Sequence, residues 1–264
     1  METTPGSDEG PEPRLVGVDR VLAVLTELAG HPQGASLDDL SRAVGSPKPT
    51  VHRALGALRR SGFARLAAPG RYVLGDEFLR LAFAHHDARP EHLRVLPALE
   101  QLAARYGETT HYAVLEGDEV VYRSKVDPPS GAIRLTSTVG GRNPAHTTGV
   151  GKLLLARTLP DDDAVRAWVG TRTLERRTPR TLTTAEELVA ALAAVRAQGY
   201  ALDEEENEPG IGCLAVPAPP GPAGDTLGAI SISALLYRTP LATLVADVPT
   251  IRGVVASAPA KDLT

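Results

Sequence analysis

The chain has 264 residues, which is long enough for two domains with separate hydrophobic cores. Its 42% hydrophobic and 23% charged residues are ordinary for a globular protein, and its formal net charge is −4. A single cysteine excludes an intramolecular disulfide framework, and no apolar run approaches the roughly 18 residues of a membrane helix. The acidic N-terminal segment is unlike a secretory signal. We therefore expect a cytoplasmic protein with no membrane partner.

Residues 1–13 are rich in proline, glycine and acids, and they predict a disordered tail. After a helix at 18–28, two short helices separated by a tight turn are predicted. Ser36 and Asp39 form a capping-box pattern at the start of the first of these, and Gly45 ends it. Ser46 is the expected N-cap of the second. Two helices so arranged predict a helix-turn-helix, in which the second helix reads DNA.

The second helix has an apolar face and a basic face. Apolar residues recur at the spacing i, i+3, i+4, i+7, at Val51, Ala54, Leu55 and Leu58. The remaining surface carries the residues that we expect to contact DNA, which are Lys48, Thr50, His52 and Arg53. A slim polar face of this kind suits a major groove about 12 Å wide.

Two short strands, at 63–66 and 71–74, flank a Pro-Gly turn and predict a basic hairpin, the wing of a winged helix. Its Arg65 and Arg71 are further candidates for DNA contact. From position 42 to position 75 the sequence has seven basic residues and no acid, which suits a surface that binds phosphates. Pattern alone leaves one alternative, a solvated helical hairpin within a larger domain. We assign residues 14–75 to a winged helix-turn-helix domain and 76–89 to a linker helix.

Residues 90–264 predict a second domain of mixed helices and strands. A helix ending at Tyr106 precedes a hairpin of strands at 109–115 and 119–126 and a third strand at 133–138. Helices are predicted at 147–159, 161–169 and 185–198, strands at 200–203, 213–217 and 227–236, and one closing helix at 241–256. This order indicates an α+β fold whose sheet is open to solvent or ligand on one side.

Motifs for chemistry in this domain are weak. Gly149–Lys152 is part of a phosphate-loop pattern, but His146 and Leu153 stand where that motif requires glycine and a hydroxyl residue. The histidines and Cys213 lack metal-ligand spacing. The acidic run at 203–208 is either a solvated turn or the rim of a pocket, and the arginines between 172 and 180 indicate a solvated loop.

Taken together, several segments resemble the successive landmarks of the IclR family of bacterial transcription regulators. They are Pro47–Leu55, Arg71–Gly75, Ala145–Leu155, Thr178–Thr181 and Asp203–Pro217. The resemblance extends from about position 15 to position 256. It implies a winged helix-turn-helix domain joined by a helix to a GAF-like effector-binding domain. It also implies a dimer or tetramer that binds near-palindromic operators in double-stranded DNA, and no cofactor is expected.

The resemblance implies an effector pocket as well. On matching positions it is formed by Gly149, Val150, Asp203, Ile211, Cys213, Ser231 and Ser233. The free N–H groups of a helix start favour an anion, and two serines two residues apart on a strand face the same side. We therefore expect a small hydroxylated or oxo-acid as the ligand. Gly212 stands where the family commonly has a basic residue, so we expect an altered anion contact there.

These observations predict a ligand-responsive transcription regulator that is not an enzyme. The alternative is a small-molecule enzyme with an accessory winged-helix module that uses Cys213 or His146. Against this alternative, neither residue has a recognisable base or orienting partner in the sequence. The identity of the effector, the target genes, and the choice between repression and activation stay open at this point.

Overall fold

The computed structural model describes residues 17–87, 90–128, 135, 137–220 and 228–257. The predicted tail at 1–13 lies outside this range. The chain divides into two compact units, Met1–Ala88 and Arg89–Thr264. Among the described helices, none combines the length and the apolar character needed to cross a bilayer.

The first unit contains the predicted helices and wing in the predicted order. Its elements are α1 (Gly17–Ala29), β1 (Ala35–Ser36), α2 (Leu37–Ala43), α3 (Lys48–Arg60), β2 (Ala64–Ala68), β3 (Arg71–Leu74) and α4 (Asp76–Asp87). The strand β1 was not predicted, because two residues are too few for an alternating pattern. It pairs with β3 and completes an antiparallel sheet in the order β1-β3-β2.

The turn between α2 and α3 is built partly as predicted. Ser36 and Asp39 form the capping box of α2, and Gly45, with φ of +62°, lies just beyond the helix end. Ser46 does not cap α3, which begins at Lys48 after Pro47 with no side-chain cap. The carbonyl of Ser46 instead accepts a hydrogen bond from the hydroxyl of Ser41 at 2.5 Å. That prediction was wrong because, with Ser46 as the N-cap, Pro49 would be the third helical residue, and proline lacks the N–H group that a capping side chain bonds there.

The predicted apolar face of α3 is confirmed as a core. Its four residues are buried against Val24 and Leu28 of α1 and Leu40 of α2. At the other end of α3, backbone meets backbone: a Cβ added to Gly75 would lie 2.0 Å from the carbonyl oxygen of Gly62. Gly75 also donates its N–H to the carbonyl of Phe63 at 2.9 Å. The end of α3 and the start of α4 are therefore in direct main-chain contact.

The second unit is built around an antiparallel six-stranded sheet. Its elements are α5 (Pro90–Tyr106), β4 (Thr109–Glu116), β5 (Glu119–Val126), β6 (Arg142–Pro144), α6 (Gly149–Thr158), α7 (Asp162–Val169), α8 (Ala185–Gln198), β7 (Ala201–Glu204), β8 (Ile211–Pro217), β9 (Gly228–Leu235), α9 (Leu241–Ala246) and α10 (Val248–Ser257). The strands lie in the order β6-β5-β4-β9-β8-β7. The predicted β4–β5 hairpin is confirmed.

Helices cover both faces of this sheet. Leucines of α6 and α8 pack on one face against Ala113 and Ala229, whereas α5 and α10 pack on the other against Tyr112 and Ile230. The predicted α+β fold is confirmed, and the opening of the sheet to solvent or ligand is confined to a cavity on the α6 face. Successive residues of the central strands point to opposite faces, and here both sets are largely apolar.

Two further predictions in this unit need correction. Half of the strand predicted at 133–138 lies outside the described residues, at positions 133, 134 and 136, and the described residues Leu135, Ser137 and Thr138 belong to no strand. The strand β6 was not predicted. The single closing helix is two helices, α9 and α10, interrupted at Asp247. Pro249 explains the break, since proline is accommodated in the first turn of a helix but not in its interior. The carboxylate of Asp247 accepts a hydrogen bond from Tyr106 at 2.5 Å.

Candidate functional site

A cavity of about 200 Å³ lies between the sheet and the start of α6 in the second unit. All seven residues that the resemblance implied for an effector pocket line it, namely Gly149, Val150, Asp203, Ile211, Cys213, Ser231 and Ser233. They come from one helix, two strands and the end of a third, so only the folded sheet brings them together. Other lining residues, among them His111, Tyr122, Asn143 and Arg177, were not predicted.

The start of α6 forms one wall of the cavity. Thr148 caps the helix, and its hydroxyl oxygen accepts a hydrogen bond from the N–H of Gly151 at 3.0 Å. Within the described part of the chain, the N–H groups of Gly149 and Val150 have no acceptor. A Cβ on Gly151 would lie 2.1 Å from the carbonyl oxygen of Ala145, so only glycine allows this close approach. The wall therefore presents free backbone donors to the cavity.

The sheet supplies the floor of the cavity. Strand register sets His111 opposite Ser231, and Cys213 opposite Ser233. The Ser233 hydroxyl lies 3.3 Å from Nδ1 of His111, and it accepts a hydrogen bond from the Cys213 thiol at 3.1 Å. Nε2 of His111 lies 2.8 Å from the hydroxyl of Ser137. These contacts make a continuous polar chain across three strands.

The two titratable groups in this series of hydrogen bonds, His111 and Cys213, are both uncharged. Burial, with a further contribution from Lys125, lowers the pKa of His111 to about 3. Burial, together with the neighbouring Asp203, raises the pKa of the Cys213 thiol well above its usual value. His111 was missed in the sequence because an isolated histidine on a strand carries no motif.

The acidic run after β7 folds back on itself instead of extending into solvent. Asp203 is 2% exposed, and its Oδ1 accepts hydrogen bonds from the N–H groups of Glu206 at 2.7 Å and Asn207 at 3.4 Å. Burial raises the pKa of Asp203 to about 7, and the charge of Glu206 acts in the same direction. Glu206 itself is buried in an ion pair with Lys152 of α6. The acidic run is therefore the rim of a pocket. Lys152, which belongs to the phosphate-loop pattern rejected from the sequence, holds this rim in place through its ion pair with Glu206.

The loop before α8 also reaches the cavity. The arginines between 172 and 180 were predicted to be solvated only, but Arg177 lines the mouth and donates to Oδ1 of Asn143 at 2.8 Å. Thr178 and Thr181 fix this loop, because their hydroxyls donate to the carbonyls of Glu205 at 2.7 Å and Glu206 at 2.6 Å.

The expected effect of Gly212 on an anion contact was wrong. A Cβ at this position would meet Leu236 and Leu241, on the face of β8 turned away from the cavity. Its neighbours Ile211 and Cys213 line the cavity, and the alternation of a strand places Gly212 on the opposite side. A basic side chain there would point into the apolar layer beneath the sheet.

The two residues of the alternative enzyme interpretation lie in different places. Cys213 lines the cavity described above, whereas His146 lines a separate one with Trp168 and Leu174. Nε2 of His146 is 3.0 Å from the carbonyl oxygen of Glu175. Over the described residues, no three histidine, cysteine or acidic side chains form a cluster that could hold a metal ion.

The residues predicted to contact DNA lie at the surface of the first unit. Lys48, His52, Arg53, Arg65 and Arg71 are exposed, and Thr50 is half-buried. Two of them already have protein partners: Lys48 pairs with Asp38 at 2.8 Å, and Arg71 donates to the carbonyl of Gly34 at 2.9 Å. Over the described residues, His52, Arg53 and Arg65 have no such partner and present free donors.

Two family profiles match the sequence. The profile of the IclR helix-turn-helix domain matches residues 17–67, and that of the bacterial transcriptional regulator IclR C-terminal region matches residues 92–252. The chain belongs to the IclR family. It is accordingly a bacterial transcriptional regulator with a DNA-binding helix-turn-helix.

Curated relatives and solved structures agree with this assignment. The HTH-type transcriptional regulator XynR of Escherichia coli is 32% identical over 236 residues, 86% of this chain and 88% of the relative. The Pca regulon regulatory protein of Pseudomonas putida is 31% identical over 85% of this chain and 76% of its own length. The crystal structure of an IclR homologue from Microbacterium hydrocarbonoxydans, complexed with 4-hydroxybenzoate, has a TM-score of 0.73 at 26% identity. It covers 91% of this chain and 98% of the other.

Proposed function

We propose that this regulator binds a double-stranded DNA operator through its first unit and that a small hydroxylated or oxo-acid in the cavity changes its operator affinity. The observation that carries the proposal is the convergence of Gly149, Asp203, Ser231 and Ser233 on one cavity. DNA as the partner implies that the protein works in the cytoplasm.

The proposed DNA contacts divide into two groups. Lys48, Thr50, His52 and Arg53 on α3 lie on the face that enters the major groove, while Arg65 and Arg71 contact the backbone from the wing. Neither Arg53 nor Arg65 has a partner among the residues that the structure describes. The guanidinium of Arg53 suits hydrogen bonds to a guanine edge, and that of Arg65 suits a phosphate.

The chemistry of the cavity supports an acid with a second polar group. The N–H groups of Gly149 and Val150 at the start of α6 favour a negatively charged ligand in the cavity. The hydroxyls of Ser231 and Ser233 and the neutral ring of His111 suit a ligand hydroxyl or carbonyl. Asp203 would repel a bound anion when ionised, but its pKa of about 7 lets it hold a proton near neutrality. The 4-hydroxybenzoate bound by the Microbacterium homologue has both kinds of group.

We also propose that the protein acts as a dimer or tetramer. Large apolar side chains are exposed on two helices of the first unit, namely Val18 and Leu22 on α1 and Phe78, Leu79, Leu81 and Phe83 on α4. Exposed apolar groups in this number are typical of an association surface. A symmetric pair of reading helices would match a near-palindromic operator.

We propose further that the protein is not an enzyme. A nucleophilic cysteine acts as a thiolate beside a base, whereas burial raises the thiol pKa of Cys213 and Ser233 separates it from His111. A neutral thiol bonded to a neutral hydroxyl suits ligand recognition instead.

Fluorescence anisotropy tests this function. The full chain is titrated into labelled DNA from upstream of its own gene, and into scrambled DNA, with and without small hydroxy-acids and oxo-acids. We expect preference for the upstream DNA and a change in Kd of about 5- to 150-fold with an effective acid. Ser233→Ala should weaken the response to the acid and leave ligand-free DNA binding unchanged. Equal affinity for both DNAs, or no response to any acid together with turnover of one, would overturn the proposal.

A further inference from the structure

The charged side chains that line the cavity differ in the partners that they already have within the protein. Over its described lining, the charged residues are Arg142, Arg177, Asp203 and Glu208. Arg142 is held by Glu116 at 2.6 Å and Glu119 at 3.3 Å. Asp203 is bonded to backbone N–H groups of its own loop. Arg177 differs from both, because its side-chain partner is the neutral amide of Asn143 and, over the described residues, it forms no ion pair.

The backbone beneath Arg177 is fixed even though its side chain is exposed. Its N–H donates to the hydroxyl of Thr181 at 3.1 Å, and the N–H of Thr178 donates to the same oxygen at 2.8 Å. Thr181 is bonded in turn to the carbonyl of Glu206, in the loop that carries the cavity's acidic rim. Asn143 from β6 holds one guanidinium nitrogen at 2.8 Å. The side chain is thus anchored at its base and held near its tip, and its other N–H donors have no partner within the described residues.

We propose that Arg177 is the residue that selects anionic ligands, by binding the ligand carboxylate at the mouth of the cavity through paired N–H donors. A guanidinium presents a planar fork that matches a carboxylate, and hydrogen bonds between charged partners are about twice as strong as neutral ones. The carboxylate of Glu208 lies on the same rim, and it would repel an anionic ligand that is not also bound by Arg177. This assignment rests on the proposed function, since it requires that the cavity binds a small acid.

The test compares each acid with its neutral amide. The probes are 4-hydroxybenzoate with 4-hydroxybenzamide, and lactate with lactamide, measured on the full chain by calorimetry and thermal shift. Arg177→Gln removes the charge, Arg177→Lys keeps the charge but removes the fork, and Arg176→Gln is the matched control. Arg176 belongs to the same exposed loop, but it bonds to Thr183 and does not line the cavity.

For the acid that binds, we expect Arg177→Gln to raise Kd about 10- to 100-fold and to leave the Kd of its amide unchanged. Arg177→Lys should raise the Kd of the acid by a smaller factor than Arg177→Gln, and Arg176→Gln should leave it at the wild-type value. Equal losses for acid and amide would make Arg177 part of the cavity wall and overturn its selective role. Acid binding that Arg177→Gln leaves unchanged would overturn the assignment while the proposed function stands. If no acid binds wild type, the proposed acid effector fails and this assignment fails with it.

Discussion

Lys152 of α6 and Glu206 of the β7–β8 loop form an ion pair in which both side chains are more than nine-tenths buried. Glu206 Oε1 also accepts a hydrogen bond from the N–H of Glu204 at 3.3 Å, whereas Oε2 has no partner among the described residues. The pair joins the two walls of the cavity. It also places a fixed positive charge beneath the acidic rim, where Asp203 lies.

Removal of one partner of this ion pair should destabilise the fold more than removal of both. Lys152→Met leaves a buried carboxylate without a counter-ion beside Asp203, and we expect it to lower the free energy of unfolding by about 3–5 kcal/mol. The double variant Lys152→Met/Glu206→Gln should recover part of that loss, because no unpaired charge remains. Urea unfolding of wild type, both single variants and the double variant gives the coupling. A double variant no more stable than Lys152→Met would contradict this account.

Asp203 should make stability depend on pH. Its pKa is about 7 in the fold and near 3.8 when unfolded, so the folded protein holds a proton that the unfolded chain releases between these values. Stability from this group is therefore complete below about pH 4 and is lost as pH rises towards 7, by at most about 1.4 kcal/mol per unit. Asp203→Asn keeps the oxygen acceptor without the titration. Unfolding from pH 5 to 8 should show the variant gaining relative to wild type; a constant difference would contradict the raised pKa.

Gly151 and Gly149 should respond differently to the same substitution. A Cβ at 151 meets the carbonyl oxygen of Ala145 at 2.1 Å, whereas the nearest atoms to one at 149 are 3.5 Å away. We expect Gly151→Ala to cost at least about 1–3 kcal/mol because backbone must move, and Gly149→Ala to cost less than half of that. Thermal unfolding of both variants checks this. Equal costs would mean that the turn before α6 yields easily.

The two wing arginines should separate in a combined test of stability and DNA binding. Arg65→Ala removes a guanidinium that has no partner in the described part of the chain, so it should weaken binding to all DNA and reduce the slope of log affinity against log salt by about one per protomer. Arg71→Ala also removes the hydrogen bond to Gly34, so it should lower Tm as well. Arg80→Ala, on α4 and paired with Glu77, is the control. An unchanged salt slope for Arg65→Ala would remove the wing from the interface.

Arg53→Ala tests the reading helix. Because Arg53 is exposed and has no partner among the described residues, it should contribute base contacts, and its loss should cost about 1–3 kcal/mol on cognate DNA and relax the preference at one base pair of each half-site. Binding to a set of operators mutated at single positions measures this. A uniform loss on cognate and scrambled DNA would assign Arg53 to the phosphate backbone.

Local signals made the first unit predictable. The capping box at Ser36, the apolar spacing from Val51 to Leu58 and the Pro-Gly turn of the wing each depend on residues close in sequence. The error at Ser46 arose within one turn, where Pro49 lacks the N–H group that a cap at Ser46 would bond. The pairing of β1 with β3 depends on residues more than thirty positions apart, so no local pattern reveals it.

The cavity was predictable only where the family landmarks named its residues. His111 and Arg177 reach it through sheet register and a folded loop, and neither relation leaves a periodic signal. The acidic run illustrates the physical limit. Charge alone indicates a solvated turn, but the buried partner Lys152 and the backbone donors that hold Asp203 become visible only in three dimensions.

The contact between Gly62 and Gly75 leaves no side chain to act as a cushion between the end of α3 and the first turn of α4. Side chains absorb small displacements by changing rotamer, whereas a peptide plane pressed against another has no such freedom. The start of α4 therefore cannot move closer to Gly62 unless the backbone that follows α3 moves as well. Within this unit the two glycines set how closely the start of α4 approaches the end of α3, and even one methyl group at position 75 would change that distance.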